Sequence, residues 1–414
     1  MRVFLVSLVL GLAAPSLAAA APPTFSKDVA PILYKSCVEC HRPGAIAPMS
    51  LITFDDARPW ARAVKQKVVA REMPPWGADP HIGKFANDPS LSEAEVATIA
   101  AWVDGGAPEG NRAELPRVPT FTEGWAMGKP DLIFEMVEPF QVPADGTVPY
   151  TYVTIPTHLD HDIWITGLEY KTADRRVLHH IIGDLVEGTG GPTPKPSLTR
   201  DRTRKDLGGL GGYVPGRLDT MFEPGVAKKI PAGADIVLQM HYTTVGQAVS
   251  DKLQIGVKLA KEPPAKLRAA GGGQMPNATF TIPPGDSNYE VTAKQTIARD
   301  TYLASLYPHM HVRGKDATYK VIYPDGKEEV LLRVPKYDFN WQLTYKLAEP
   351  KFLPAGSTLM IVAHYDNSSA NRFNPDPTAA VKWGEQTWEE MLIGYFGTID
   401  KSDAPVRSSS GAGR

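Results

Sequence analysis

Cysteine is nearly absent from this chain. Its 414 residues hold two, Cys37 and Cys40, three positions apart and followed by His41. One motif uses both, so none remains for a structural bridge. Long hydrophobic runs are also missing beyond the first 21 residues, and a membrane span needs about 20 apolar residues. Charge of one sign is lacking too. Lys and Arg total 44 against 46 Asp and Glu, a formal net charge of −2, which gives neither nucleic acid nor an anionic membrane a reason to bind. Turn residues, by contrast, are plentiful. With 38 Pro and 36 Gly, the chain favours many short elements and β-rich architecture over helical bundles.

The one long apolar run sits at the start. Arg2 precedes the stretch Val3 to Leu17, and Ala18-Ala19-Ala20-Ala21 offers an A-x-A cleavage site before Pro22-Pro23. That order reads as a signal peptide over 1–21, the alternative being an uncleaved anchor. The expected location is periplasmic or secreted. Roughly 390 residues then remain, enough for about three domains at ordinary size.

Helical patterning concentrates in residues 24–110. Ser26 is a candidate cap for a helix through Asp28 to Leu33, and Asp55 or Asp56 for one reaching Val69 and ending at Met73-Pro74-Pro75. The clearest helix follows Ser92, where Ser92 and Glu95 form a capping box. Val96, Ile99 and Val103 make its apolar stripe, and Gly105-Gly106 closes it. Residues 111–130 read as a linker. Beyond them come short alternating runs such as Tyr152–Ile155, Asp162–Thr166, Ile236–Met240, Tyr319–Ile322 and Thr358–Val362, the mark of sandwiches or barrels. Residues 187–230 look like a long loop, a turn-rich stretch at about 260–277 separates two β domains, and 401–414 read as a disordered tail.

Cys37-Val38-Glu39-Cys40-His41 is C-x-x-C-H, the attachment site of a covalent haem. Two thiols at this spacing reach the vinyl groups of one porphyrin, and the adjacent His ligates the iron. A zinc half-site would need ligands that no other Cys supplies, and a redox dithiol expects a βαβ setting. Candidates for the sixth ligand are Met73, on the Pro-rich turn Glu72-Met73-Pro74-Pro75, and Met49. The Met73 turn resembles the Met-Pro loop of class I cytochromes c, a resemblance that implies Met73 as distal ligand and a one-electron carrier.

The remaining His residues cluster. His179-His180 is a vicinal pair, Gln239-Met240-His241-Tyr242 carries a third, and His309-Met310-His311 is an H-x-H; Met391 follows in Thr387-Trp388-Glu389-Glu390-Met391. Residues two apart on a strand share a face, so His309 and His311 are able to hold one metal while Met310 points away. For His179 and His180 to do the same, the strand must bulge or end there. Imidazole and thioether donors without carboxylates favour copper over zinc.

In this order the motifs resemble the copper type II, ascorbate-dependent monooxygenases, the family of the peptidylglycine and dopamine hydroxylases, over about residues 130–400. The resemblance implies one copper on His179, His180 and His241, and a second on His309, His311 and Met391. These would lie in two jelly-roll-like sandwiches, 131–262 and 263–400, facing each other across a wet cleft. Gln239 and Tyr395 match residues that line the cleft in relatives. The expected architecture is therefore multidomain, a small all-α cytochrome c-like domain followed by two all-β jelly-roll-like sandwich domains. Two copper ions and one haem c are the expected cofactors.

The implied activity is hydroxylation of a C–H bond of a small-molecule or peptide substrate by O2, with electrons from an ascorbate-like reductant or a redox protein and the haem as relay. The disulfides of animal relatives have no counterpart here, and the peptide-carboxylate ligands of the peptidylglycine enzyme find no match. His81, His158, His161 and His364 are expected to be structural. The rival classes are a periplasmic copper-binding or electron-transfer protein without oxygenase activity, and a haem peroxidase.

Overall fold

The computed structural model describes residues 22–45, 47–121, 124–213, 221–222, 224–261 and 268–400. The expected signal peptide, the expected tail and the expected boundary at 262/263 fall outside them.

Among the described residues, the α-helices lie between residues 30 and 104. Thr53 caps Phe54–Ala57 through a capping box with Asp56, and a 3-10 turn leads on to Ala61–Val69. Ser92 and Glu95 exchange hydrogen bonds at the start of Glu93–Asp104, satisfying donors that a helix start otherwise leaves open. Phe25, Val29, Leu33, Ile99 and Trp102 form a small core among these helices.

These helices do not amount to the expected all-α cytochrome c-like domain. Only 12% of the chain is helical, the longest helix has 12 residues, and the remainder is dominated by sheets. Pro43, Pro48, Pro74, Pro75, Pro80 and Pro89 deny helix continuation by removing a donor and clashing with the preceding turn. The second half of the region is also drawn away onto a β core. The Trp76 ring lies 4.7 Å from Tyr345 and 5.8 Å from Phe85, and the Tyr345 hydroxyl donates to the Trp76 carbonyl at 2.6 Å. Phe85 bridges to Leu347, and the Asn87 amide donates to the Thr344 carbonyl.

Among the described residues after 130, the regular elements are all β-strands. Two large cores are built by alternating inward residues. One gathers Ile155, Ile165, Ile236, Leu238, Ile255 and Val257, and the other Leu303, Leu306, Tyr319, Val321, Leu359 and Ile361. A four-stranded sheet over the first core orders Thr151–Pro156, Ala234–Tyr242, Leu178–Glu187 and Asp206–Tyr213. Over the second core, the order is Tyr289–Thr296, Thr358–Tyr365, Gly314–Ile322 and Glu328–Val334.

An eight-stranded sheet runs under both cores, in the order Leu132–Glu135, Gln254–Leu259, Ile163–Lys171, Val226–Ile230, Arg268–Asn277, Leu392–Asp400, Thr301–His309, Tyr345–Leu353. The two halves meet in it where Arg268 pairs in parallel with Val226. The expected divider at about 260–277 thus contains a joining strand, and the expected loop 187–230 contains two strands. The expected linker is also anchored, because Ala126 and Met127 donate backbone N–H groups to the Glu169 carboxylate at 2.9 and 3.0 Å. Among the described residues, no helix is long and apolar enough to cross a membrane.

Candidate metal centre

The first donor set forms where the ladder slips. Leu178 pairs with Tyr242, yet His180 pairs with His241, so His179 is the extra residue of a bulge and both vicinal rings turn to one side. His180 Nδ1 lies 3.0 Å from His179 Nδ1 and 3.3 Å from His241 Nδ1. Four donors about 2.0 Å from a tetrahedral metal sit about 3.3 Å from one another. The donor atoms of His179, His180 and His241 all fall within 4.8 Å of each other, so three neutral imidazoles present a preformed tripod.

The second set lies at the end of the long sheet. His309 pairs with Ile393, and just beyond the ladder the backbone N–H groups of His311 and Met391 both donate to Glu390 Oε2, at 2.9 and 3.2 Å. The His309 and His311 rings stand 5.4 Å apart at 89°, while Met310 between them is buried in the second core. The neutral rings donate through Nδ1, His309 to Gln342 Oε1 at 2.5 Å and His311 to the Glu389 carbonyl at 3.2 Å. That leaves Nε2 of each as a bare lone pair, and both are buried without a hydrogen-bond partner. A buried acceptor with no donor is costly, and a metal ion is the partner this chemistry suits. Met391, 6% exposed, is the soft thioether residue whose backbone shares the Glu390 carboxylate with His311. The residues therefore fit copper.

Electrostatics keep these donors ready. Burial holds His179 down at about 4, His309 at about 4 and His311 at about 3. His180 and His241 fall well below the ordinary value, first by burial and then by neighbouring imidazoles. Neutral rings keep the lone pairs that metal binding requires. Beneath the second set lies Glu390, fully buried. Its carboxylate accepts backbone N–H groups from Arg313 at 2.7 Å, His311 at 2.9 Å and Met391 at 3.2 Å. Burial pushes this carboxyl up to about 8, with those N–H groups and the Arg313 guanidinium pulling the other way.

The two sets touch. His180 of the first lies 6.3 Å from His309 of the second, centroid to centroid. The Tyr150 ring lies edge-on to His180, His241 and His311 at 5.4, 4.6 and 5.8 Å. Phe339 covers the other flank, at 5.4 Å from His179, 5.7 Å from His241 and 6.1 Å from His311. The Tyr150 hydroxyl is enclosed and makes no hydrogen bond of ordinary geometry, with Thr387 alongside. This packed arrangement replaces the wet cleft that the family resemblance implies. The segment before Met391 holds the halves together, since Gln386 Oε1 accepts from Tyr150 N at 3.1 Å and Glu385 from the Tyr152 hydroxyl at 3.0 Å.

Tyr395 stands 6.2 Å from His309 and stacks on Tyr307 at 5.3 Å, in the wall of the second set. Gln239 instead donates to the Tyr152 hydroxyl at 2.5 Å. His364 pairs with Asp316 and Glu290, and His161 with Asp160, both outside the cluster. Sequence reasoning missed Tyr150, Phe339, Gln342 and Glu390. Only Glu390 carried a signal, as a neighbour of Met391.

Cys37 and Cys40 are free thiols at the end of the helix Ala30–Ser36. Burial pushes Cys37 up to about 12, which makes it a poor thiolate and disfavours a redox dithiol. His41 Nδ1 lies 3.3 Å from the Met49 carbonyl, which leaves Nε2 for an iron. Met73 ends the turn after Ala61–Val69, its N–H donated to the Lys67 carbonyl. Two free thiols and one available imidazole nitrogen fit covalent haem attachment. A cavity of about 290 Å³ separates this segment from the first β half, with Glu39, Arg42, Glu169, Arg175 and Tyr213 in its walls.

No family model matches this chain. No curated protein matches it either. Among solved structures, the infectious bursal disease virus Gx strain aligns at 9% identity over 67% of this chain and 74% of its own, TM-score 0.20. The STIV MCP aligns at 8% identity over 65% and 94%, TM-score 0.25, and allantoicase at 9% over 55% and 81%, TM-score 0.16. Superpositions this loose carry no argument.

Proposed function

We propose that this chain is an exported copper-dependent monooxygenase that hydroxylates a C–H bond of a small-molecule or peptide substrate. The overall change is R–H + O2 + 2 e⁻ + 2 H⁺ → R–OH + H2O, with the electrons from an ascorbate-like reductant or a redox protein. The observation that carries this reading is the pair of donor sets, an imidazole Nδ1 tripod beside two orphaned Nε2 atoms and a buried thioether. When bound, copper would supply one-electron chemistry with O2 and the abstraction of hydrogen from substrate.

The chain's own residues do the rest. Gln342 and the Glu389 carbonyl fix the tautomers of His309 and His311. Glu390 locks the backbone on which His311 and Met391 ride. Tyr150 and Phe339 keep water from the cluster, and Tyr395 walls the second set. A haem on Cys37, Cys40 and His41 would add a one-electron carrier. Arg175, in the wall of the adjoining cavity, precedes His179 by four residues through the turn that leads into Leu178–Glu187.

Metal analysis of the exported protein should find two coppers and one iron per chain. Oxygen uptake with ascorbate should respond to some member of a panel of peptides, amines and small aliphatics, and Met391→Ala should abolish that response while sparing the haem spectrum. A chain that takes up no copper would sink the reading. The enclosure of the cluster favours one alternative, copper binding or electron transfer without oxygenation, and copper-loaded protein inert to the whole panel would establish it.

A further inference from the structure

The Cys37-to-His41 segment does not pack flush on the β body. Between it and the first β half lies the cavity of about 290 Å³, at the small end of ligand pockets, which span roughly 300–1,000 Å³. Thr120 and Phe121 form part of its rim, and the strand Asp206–Tyr213 supplies one wall. Five charged side chains line it: Glu39, Arg42, Glu169, Arg175 and Lys228. The protein itself engages four of them. Arg42 donates to Glu39 Oε1 at 3.1 Å and lies over the Phe121 ring at 4.4 Å. Glu169 accepts the Ala126 and Met127 N–H groups, and Lys228 Nζ donates to the Gly209 carbonyl at 2.9 Å.

Arg175 is the exception. Among the described residues, no acceptor is hydrogen-bonded to its guanidinium, although it lines the cavity and is half-buried. Burial pushes the Tyr213 hydroxyl up and the Arg175 charge pulls it back down, so the two groups share the chamber. With Glu39 and Arg42 paired, the lining keeps two cations against Glu169. A cation held away from bulk water without a partner attracts an anion more strongly than one in water does.

We propose that this cavity binds a small hydroxylated organic anion, with Arg175 holding its negative group and Tyr213 one of its hydroxyls. An ascorbate-like reductant is an anion of this class, and the cavity adjoins the segment expected to carry the haem. The role of that anion as electron donor rests on the proposed function; its binding does not.

Isothermal titration of the prereduced, oxygen-free full chain with ascorbate reads binding alone, since no electrons pass. One equivalent should bind, less tightly as salt rises. Arg175→Gln should weaken binding roughly 10–100-fold, the range for one charge-assisted hydrogen bond, and Arg175→Lys should weaken it less. Thr120→Trp, at an exposed rim position, should block the cavity with the melting temperature unchanged, which separates lost binding from lost fold. Ascorbate that fails to bind, or that binds all four chains alike, would overturn the proposal. Copper is counted separately on the unaltered chain. Its absence would remove the proposed function and leave the anion site standing.

Discussion

Each imidazole of the second set owes its metal-facing nitrogen to a neighbour on its other edge. Gln342 Oε1 accepts from His309 Nδ1 and from the Tyr307 hydroxyl, the latter at 3.1 Å. Outer partners of this kind fix ring orientation, and their loss costs roughly 10–100-fold in metal affinity. Gln342→Leu, close in volume, should therefore weaken copper at His309/His311/Met391 by roughly that factor and leave the His179/His180/His241 set unchanged. A competitive chelator titration reads both sites, and equal weakening of the two would contradict the assignment of Gln342. Glu390 acts on the backbone instead. Glu390→Ala strips three buried N–H groups of their acceptor, and each such loss costs about 1–3 kcal/mol. Urea denaturation of the metal-free protein should show a loss of several kcal/mol, and a loss below about 1 kcal/mol would mean that water replaces the carboxylate.

At the scale of elements, the sequence was legible where local chemistry decides. The capping box at Ser92 and the alternation of the strands at Tyr152, Ile236 and Thr358 have a short-range cause, and the elements appear where those causes put them. By contrast, the helix expected to run to Met73-Pro74-Pro75 ends already at Val69. The vicinal His pair demanded a bulge or a strand end, and the ladder slips at His179. What stayed hidden depends on tertiary context. Asp206–Tyr213 reads as loop because four of its eight residues are glycine, but a Cβ at Gly212 would lie 2.6 Å from the Ile181 carbonyl oxygen. There glycine permits close strand approach rather than a turn.

Gly314 has the same kind of role beside the candidate site. A Cβ there would lie 2.8 Å from the Tyr337 ring and 2.9 Å from Met310 Cβ, and the Tyr337 hydroxyl donates to the Met310 carbonyl at 2.8 Å. Gly314→Ala should push Tyr337 away, cost about 1–3 kcal/mol by overpacking, and loosen the turn that carries His309 and His311. Thermal melts with and without copper give the comparison, and an unchanged melting temperature would show that Tyr337 yields freely.

Over the whole molecule, the N-terminal region behaves as an appendage tied at two ends to the β body, and nothing in its local sequence announces the ties. Trp76 directly follows the Pro74-Pro75 turn. It is 8% exposed and packed into the second β core with Tyr345 and Phe85, because a large apolar ring on a proline-stiffened segment gains most where a core can receive it. Trp76→Ala should cost about 3–5 kcal/mol. The loss should fall unevenly, because the helical core around Trp102 and Ile99 makes no use of Trp76. Protease cleavage should accelerate within residues 74–90 while the two β cores stay resistant, and calorimetry should show the helical region melting ahead of the body. Uniform destabilisation, with no gain in cleavage at 74–90, would mean that the whole chain unfolds as one cooperative unit and that the Trp76 contact is no tether.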